Sequence, residues 1–263
     1  MKLSTSIFAA LAFAAASAAN AAIITAQDNF DSANSGMGWN GGWQLVQAKP
    51  PASIVNGSLV FTGNSNNAAV RKLAATHDAD VFINFTLQYQ GPLAANDFVG
   101  LWFGDSTSAA YGTDLDHTKG PNIGLKANCG DTKAGATCTT DLFVRTSGSD
   151  GYFLAGSNLK EGTSYDVFGH LYKSGTRGSN YYDRFDAWFQ PTGTDLASTV
   201  VTARGTSNLT SFDTLGLRSA NIDNKVAVSV DALRIAEVPE PGSLALMGLA
   251  LAGLAAARRR QRG

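Results

Sequence analysis

Glutamate is almost missing from this chain. Of its 263 residues, twenty-one are acidic, and only Glu161, Glu237 and Glu240 are glutamate, which leaves eighteen aspartates. Two of the three glutamates stand near the C-terminus, so the body of the chain holds one, in the turn-like stretch Leu159-Lys160-Glu161-Gly162. Histidine is as scarce, at three residues (His77, His117 and His170), and no Gly-x-Ser-x-Gly elbow or phosphate-binding loop accompanies them. His170, in the alternating run Val167 to Tyr172, reads as a packed or solvent-facing strand residue. No basic cluster occurs before the last six residues, which argues against a nucleic-acid partner. There are two cysteines and three methionines, and no convincing amphipathic helix. Long apolar runs occur only at the two ends.

Those ends carry addresses. Met1 to Ala21 has a positive start at Lys2, an apolar stretch from Ile7 to Ala16, and a small-x-small site at Ala19-Asn20-Ala21, the pattern of a secretory signal peptide. At the other end, Val238-Pro239-Glu240-Pro241-Gly242 precedes an uncharged run from Ser243 to Ala257, and Arg258, Arg259, Arg260 and Arg262 close the chain. Fifteen helical residues rise about 22 Å, short of the ~30 Å hydrocarbon core, but arginines can snorkel and extend that reach. They also fix orientation, because basic flanks stay cytoplasmic. Pro239 and Pro241 interrupt any helix running in from upstream.

Proline–acid–proline, a short apolar helix and a basic stub in that order resemble the PEP-CTERM sorting signal. The resemblance implies a temporary anchor, 238–263, with a membrane helix at about 243–257 and a basic tail at 258–263. It also implies that an exosortase, a transpeptidase-like membrane protease, recognises Pro239, Glu240 and Pro241. A plain single-span anchor is the alternative. Export machinery and exosortase are thus the expected partners. The body of the chain is expected to face the periplasm from the inner membrane, then to reach the surface or the medium.

Without Lys2 and the four tail arginines, fifteen basic residues stand against twenty-one acidic ones, a formal net charge of −6. In an oxidising compartment Cys129 and Cys138 read as a disulfide closing a short polar loop, stabilising by on the order of 2–3 kcal/mol. Metal binding or redox chemistry is the alternative, but no second cysteine pair or neighbouring histidine supports it.

Between the ends, residues 22–237 alternate as strands rather than helices. Asp80 to Tyr89 sets Val81, Ile83, Phe85, Leu87 and Tyr89 against Phe82, Asn84, Thr86 and Gln88. Ile54 to Phe61 reads as a hairpin turning at Asn56-Gly57. Phe98 to Phe103 is apolar on both faces and is expected to be central. Further strands are expected at Ala22–Phe30, Trp43–Gln47, Val70–Leu73, Pro121–Lys126, Asp141–Thr146, Tyr165–Tyr172, Arg184–Phe189, Thr214–Arg218 and Lys225–Ile235. At least ten short strands argue for an all-β antiparallel β-sandwich, a jelly roll, followed by the one C-terminal membrane helix.

The order of residues is similar to concanavalin-like and laminin-G-like jelly rolls. The likeness lies in Phe30-Asp31, Gly38-Trp39, Gly42-Trp43, Gly57-Ser58-Leu59, Val99 to Phe103, Asp186 to Phe189 with Pro191, and Val228 to Ile235. Relatives of that shape that cleave glycans carry Glu-x-Asp-x-x-Glu on one strand. This chain has no such pair, and a carboxylate pair is the minimum equipment for that reaction. Asp183 and Asp186, three apart on a strand, face opposite sides, and Asp114 and Asp116 share a loop. The expectation is a non-enzyme: an exported surface or matrix protein that binds exopolysaccharide. A hydrolase with an unusual aspartate pair, or an adhesive protein without sugar affinity, are the alternatives.

Tyr181 and Tyr182 are the leading ligand contacts, with Trp39 and Trp43 as further stacking surfaces. Trp102 and Trp188 are expected in the core. No cofactor is expected apart from calcium, which Asp114 and Asp116 would hold alongside Asn96-Asp97, Asn122 and Asp223-Asn224. Asx-turns are the alternative reading of these aspartates and asparagines.

Overall fold

The computed structural model describes residues 22–46, 52–63, 68–107, 120–128, 139–147, 152–154, 157–175, 180–193 and 200–237. They contain fifteen strands. In chain order these are β1 (Ile23–Asp28), β2 (Trp39–Val46), β3 (Ser53–Val55), β4 (Ser58–Thr62), β5 (Ala68–His77), β6 (Val81–Gln90), β7 (Phe98–Gly104) and β8 (Asn122–Asn128). Then come β9 (Thr139–Arg145), β10 (Tyr152–Phe153), β11 (Tyr165–Tyr172), β12 (Arg184–Pro191), β13 (Val201–Arg204), β14 (Phe212–Ala220) and β15 (Ala227–Glu237). Ile24–Ala236 form one compact unit.

The strands make an antiparallel sandwich. One sheet runs β13-β12-β11-β6-β15-β4-β3, with β1 also on β15, and the other runs β10-β9-β8-β7-β14-β5-β2. β7 is therefore the middle strand of the second sheet, as its two apolar faces require. β6 alternates buried and half-buried along its length, with Val81, Ile83, Phe85, Leu87 and Tyr89 inward. At β11 a Cβ on Gly169 would come within 2.8 Å of Ile83 and Phe185 and 3.2 Å of Ile123 on the opposite sheet. Glycine there lets the two sheets close on each other.

Asn56 and Gly57 turn the β3–β4 hairpin with φ of 52° and 76°, the pair of positive values that a type I′ turn requires. Two strands lie outside the sequence expectation. β10 has two residues, too few for a period to show. β13, Val201-Thr202-Ala203-Arg204, alternates over only four. β2 is longer than its apolar run because a register shift between Asn40 and Gln44 carries it across Gly41-Gly42, and Gly41 (φ +87°) supplies the bulge; β5 extends from Ala68 to His77 opposite β14.

No helix among the described residues is long and apolar enough to cross a membrane. The expected helix at 243–257, the motif Pro239-Glu240-Pro241, the leader, and both Cys129 and Cys138 lie outside the described residues.

Candidate functional site

Two of the four aromatic side chains expected to meet a ligand are core residues. Trp43 is 5% exposed and Tyr182 fully buried. The Trp43 Nε1–H donates to Asp28 Oδ2 at 2.8 Å, and the Tyr182 hydroxyl donates to the Ala79 carbonyl at 2.9 Å. Each spends its polar handle inside the sandwich, so neither offers a ring to solvent. Trp39 is half-buried. Its N–H donates to the Gln27 carbonyl at 2.9 Å, and the Arg71 guanidinium lies 4.9 Å over its ring. Tyr181 is 40% exposed, the most open member of the set.

What gathers Trp39 and Trp43 is a buried ion pair that joins the sheets. Asp28, at the end of β1 in the first sheet, is paired with Arg71 on β5 in the second, and both side chains are almost inaccessible. Asp28 Oδ1 accepts from the Phe30 amide and the Ser35 hydroxyl, each at 2.7 Å. Arg71 also donates to the carbonyls of Gly41 and Ser35. Burial lowers the Arg71 pKa while Asp28 works against that shift. The constellation is structural.

Most of the described buried or half-buried aspartates are spent in the same way. Asp114 and Asp116 lie outside the described residues. Asp183 precedes β12 and accepts from the Ser174 amide and hydroxyl at 2.7 Å each, whereas Asp186 stands on the opposite, outer face with Thr202 at 2.6 Å. Asp141 accepts from Thr139, Ser157, Asn128 and the Asn158 amide. Burial pushes its carboxyl up, but these donors together outweigh burial and hold it below the usual carboxylate range. Asp213 likewise pins Ser106 through its amide and hydroxyl. Among the described residues no three His, Cys, Asp or Glu side chains converge as a metal site would require.

Asp97 behaves differently. It is 2% exposed and accepts from the Ala94 amide at 2.7 Å. Burial raises its pKa, the Ala94 hydrogen bond opposes that, and the Asp223 charge adds to it. A carboxyl whose folded pKa is raised costs stability when ionised, and that cost disappears once the pH falls below its unfolded value near 3.9. Asp97→Asn keeps the acceptor and removes the charge. It should stabilise by about 0.5–1 kcal/mol at pH 7, a common size for a single stabilising substitution. Urea unfolding at pH 7 and pH 3.5 checks this: the difference should shrink toward zero in acid.

The side chains pointing away from the core define two outer faces. On the second sheet Trp102 stands between the core residues Leu101 and Phe103 and so points outward. Even so, it is only 1% exposed, and its indole occupies the space that a Cβ on Gly216 or Gly104 would need. Its register neighbour Asn122 is fully buried, and Phe143, Arg145 and Arg218 are under a tenth exposed. Phe98 on the same face is half-buried and has the Arg218 guanidinium 5.9 Å over its ring.

The outer face of the first sheet is open. Phe82 of β6, Phe168, His170 and Tyr172 of β11, and Trp188 of β12 are all half-buried. Trp188 is therefore not a core residue, contrary to the sequence expectation. Alternation in Arg184 to Phe189 turns Phe185 and Ala187 inward and leaves Trp188 beside Arg184 and Asp186. His170 is stacked on Phe82 (4.2 Å, 3°) and on Tyr172 (4.5 Å, 18°), and Phe168 on Trp188 (5.8 Å, 7°). Around them stand Asn84, Thr86, Asp166, Asp186 and Gln190.

The two-sheet antiparallel jelly roll is a fold shared with solved lectin domains. The VIP36 exoplasmic/lumenal domain in its Ca2+/Man-bound form is similar at TM-score 0.52 and 10% identity, over 81% of this chain and 88% of that one. Its metal-free form gives 0.52 and 12%, over 83% and 92%. The lectin from Bauhinia forficata in complex with GalNAc gives 0.50 and 9%, over 82% and 98%. A comparison with curated proteins finds no sequence match. Residues 237–260 carry the PEP-CTERM protein-sorting motif. This motif marks an exported protein with a C-terminal anchor that an exosortase processes.

Proposed function

We propose that this protein is a non-catalytic carbohydrate-binding component of the cell surface or extracellular matrix, delivered by its PEP-CTERM segment. The sandwich is tethered to the inner membrane facing the periplasm, then freed by exosortase at Pro239-Glu240-Pro241. The reading rests on the fate of the carboxylates in a fold shared with sugar-bound lectins. Asp28, Asp141, Asp183 and Asp213 are each committed to fixing a loop or joining the sheets. Asp80, just before β6, lies 3.7 Å from His170; two more on the open face, Asp166 and Asp186, sit on neighbouring strands, and Asp186 is in register with His170, four residues along β11 from Asp166. At ~3.4 Å per residue that separates them by about 14 Å, well beyond the ~5–9.5 Å at which two carboxylates hydrolyse a glycosidic bond.

A glycan array probed with the mature protein, with and without calcium, tests the reading. Retention of at least one glycan class is expected. No retention under either condition would favour the adhesive alternative. Turnover of labelled β-glucans, lost on substituting an aspartate, would favour the hydrolase.

Mass spectrometry of the mature protein should find the C-terminus near Pro241, and an intact Gly263 would refute processing. The same spectra should show Cys129 and Cys138 oxidised to a disulfide. Asn128 and Thr139, which flank them in sequence, are register partners across β8 and β9. Cys129→Ser with Cys138→Ser should cost about 2–3 kcal/mol in urea unfolding.

A further inference from the structure

We infer that the outer face of β6, β11 and β12 is the glycan-binding surface, and that it takes an extended neutral oligosaccharide. This rests on the carbohydrate reading above and adds the site and the ligand charge to it.

Three polar atoms on this one face are enclosed and have no hydrogen-bond partner among the described residues: His170 Nε2, Trp188 Nε1 and Gln190 Oε1. An enclosed polar group without a partner is costly, and such groups in a folded protein call for a specific explanation. Here they cluster. Trp188 and Gln190 are adjacent outward positions of β12; Phe168, the register partner of Trp188, is the outward neighbour of His170 on β11. His170 Nε2 already faces the Asp80 carboxylate at 3.7 Å; Trp188 and Gln190 hold one N–H donor and one carbonyl acceptor just beneath the outer surface, where a side-chain rotation presents both to a ligand. A ligand that both donates and accepts satisfies the two, and hydroxyl groups do both.

The rings point the same way. Side chains stand upright on a sheet. Rings stacked parallel across neighbouring strands therefore cover one another's faces and turn their edges outward. Aromatic edges are electropositive, so the rim formed by Phe82, His170, Tyr172, Phe168 and Trp188 favours ligand oxygen atoms over apolar carbon. This weighs against an apolar peptide or a second apolar sheet as the occupant.

Length and charge narrow the class. Same-face neighbours lie ~7 Å apart along a strand and strands lie ~4.8 Å apart, so His170 and Gln190 are separated by about 14 Å. One sugar ring cannot reach both, whereas an oligosaccharide can. The carboxylates of Asp166 and Asp186 are held by hydroxyls, Thr86 at 3.1 Å and Thr202 at 2.6 Å. Arg184, two residues from Asp186, already donates to Asp183. Asp80, Asp166 and Asp186 then outnumber Arg204, the exposed register partner of Arg184 on β13, and that balance disfavours uronate or sulfate.

The test uses the full chain in detergent micelles, titrated with a neutral oligosaccharide series and a uronate series while tryptophan fluorescence and calorimetry are read. Wild type should bind the neutral series, and affinity should rise from one sugar to three or four. Trp188→Ala and Gln190→Ala, each checked for an unchanged far-UV spectrum, should weaken binding about tenfold or more, and Tyr152→Ala, on β10 of the other sheet, should leave it unchanged. Asp166→Asn with Asp186→Asn should narrow the preference for neutral over uronate ligands. If wild type binds sugar but Trp188→Ala and Gln190→Ala bind equally well, the carbohydrate function stands and this face is wrong. If wild type binds no glycan, both readings fall together. A wild-type dimer that Trp188→Ala converts to monomer, with sugar affinity unchanged, would reassign the face to self-association. Should Trp188→Ala misfold, Gln190→Ala alone decides.

Discussion

Arg71→Met should be strongly damaging to the sandwich, lowering stability by about 3–5 kcal/mol. The change keeps most of the side-chain volume but strands the Asp28 carboxylate, with both groups of the pair almost inaccessible to solvent. Trp43 Nε1, the Phe30 amide and the Ser35 hydroxyl would still donate to Asp28, but none brings a compensating charge. A buried charge without its counter-ion is the costly case, whereas removing both members and filling the space is often nearly neutral. Arg71→Met with Asp28→Leu should therefore recover much of the loss. It should not recover all of it, because the Trp43 N–H then lacks its acceptor. Urea unfolding of the four members of this cycle checks the claim. A single-mutant loss below about 1 kcal/mol would mean that the pair is hydrated and contributes little.

That ion pair also shows where reading the sequence stops. Asp28 and Arg71 are 43 positions apart and lie on different sheets; no period or spacing links them. The strands are a different matter. β6 and the Asn56-Gly57 hairpin follow directly from alternation and from a turn that demands two positive φ values, and the C-terminal signal is legible because it is contiguous. The aromatic residues fall between these cases. Trp188 could have been placed correctly, since Arg184 and Asp186 share its parity and mark the outer side; the same argument with Asp166 places Phe168 and His170. Trp102 is buried as expected, but the face it takes is not legible, because every residue of Phe98 to Phe103 is apolar or glycine, so alternation is silent. Tyr182 and Tyr181 are neighbours, yet one is fully buried and the other 40% exposed. Which of two adjacent loop tyrosines turns inward depends on a partner, the Ala79 carbonyl, about a hundred residues away.

Gly216→Ala should destabilise the second sheet by about 1–3 kcal/mol through overpacking alone. Gly216 needs no unusual backbone angle, so the cost is one of space rather than strain. A Cβ built there lies 2.0 Å from two carbons of the Trp102 indole. The indole has little freedom to retreat: it is 1% exposed and also fills the position beside Gly104, where a Cβ would meet it at 2.7 Å. Glycine at 216 is thus what allows a tryptophan to lie over the β14 backbone. Trp102→Leu removes the obstruction at the cost of a void, so Gly216→Ala should be much less harmful in that background. A coupling of roughly 0.5–3 kcal/mol is the usual range for residues in direct contact. Unfolding of the two singles and the double measures it, and the near-UV signal of the buried indole should change in Gly216→Ala while the far-UV spectrum does not. Additive losses would mean that the indole moves freely and that this outer face is loosely packed.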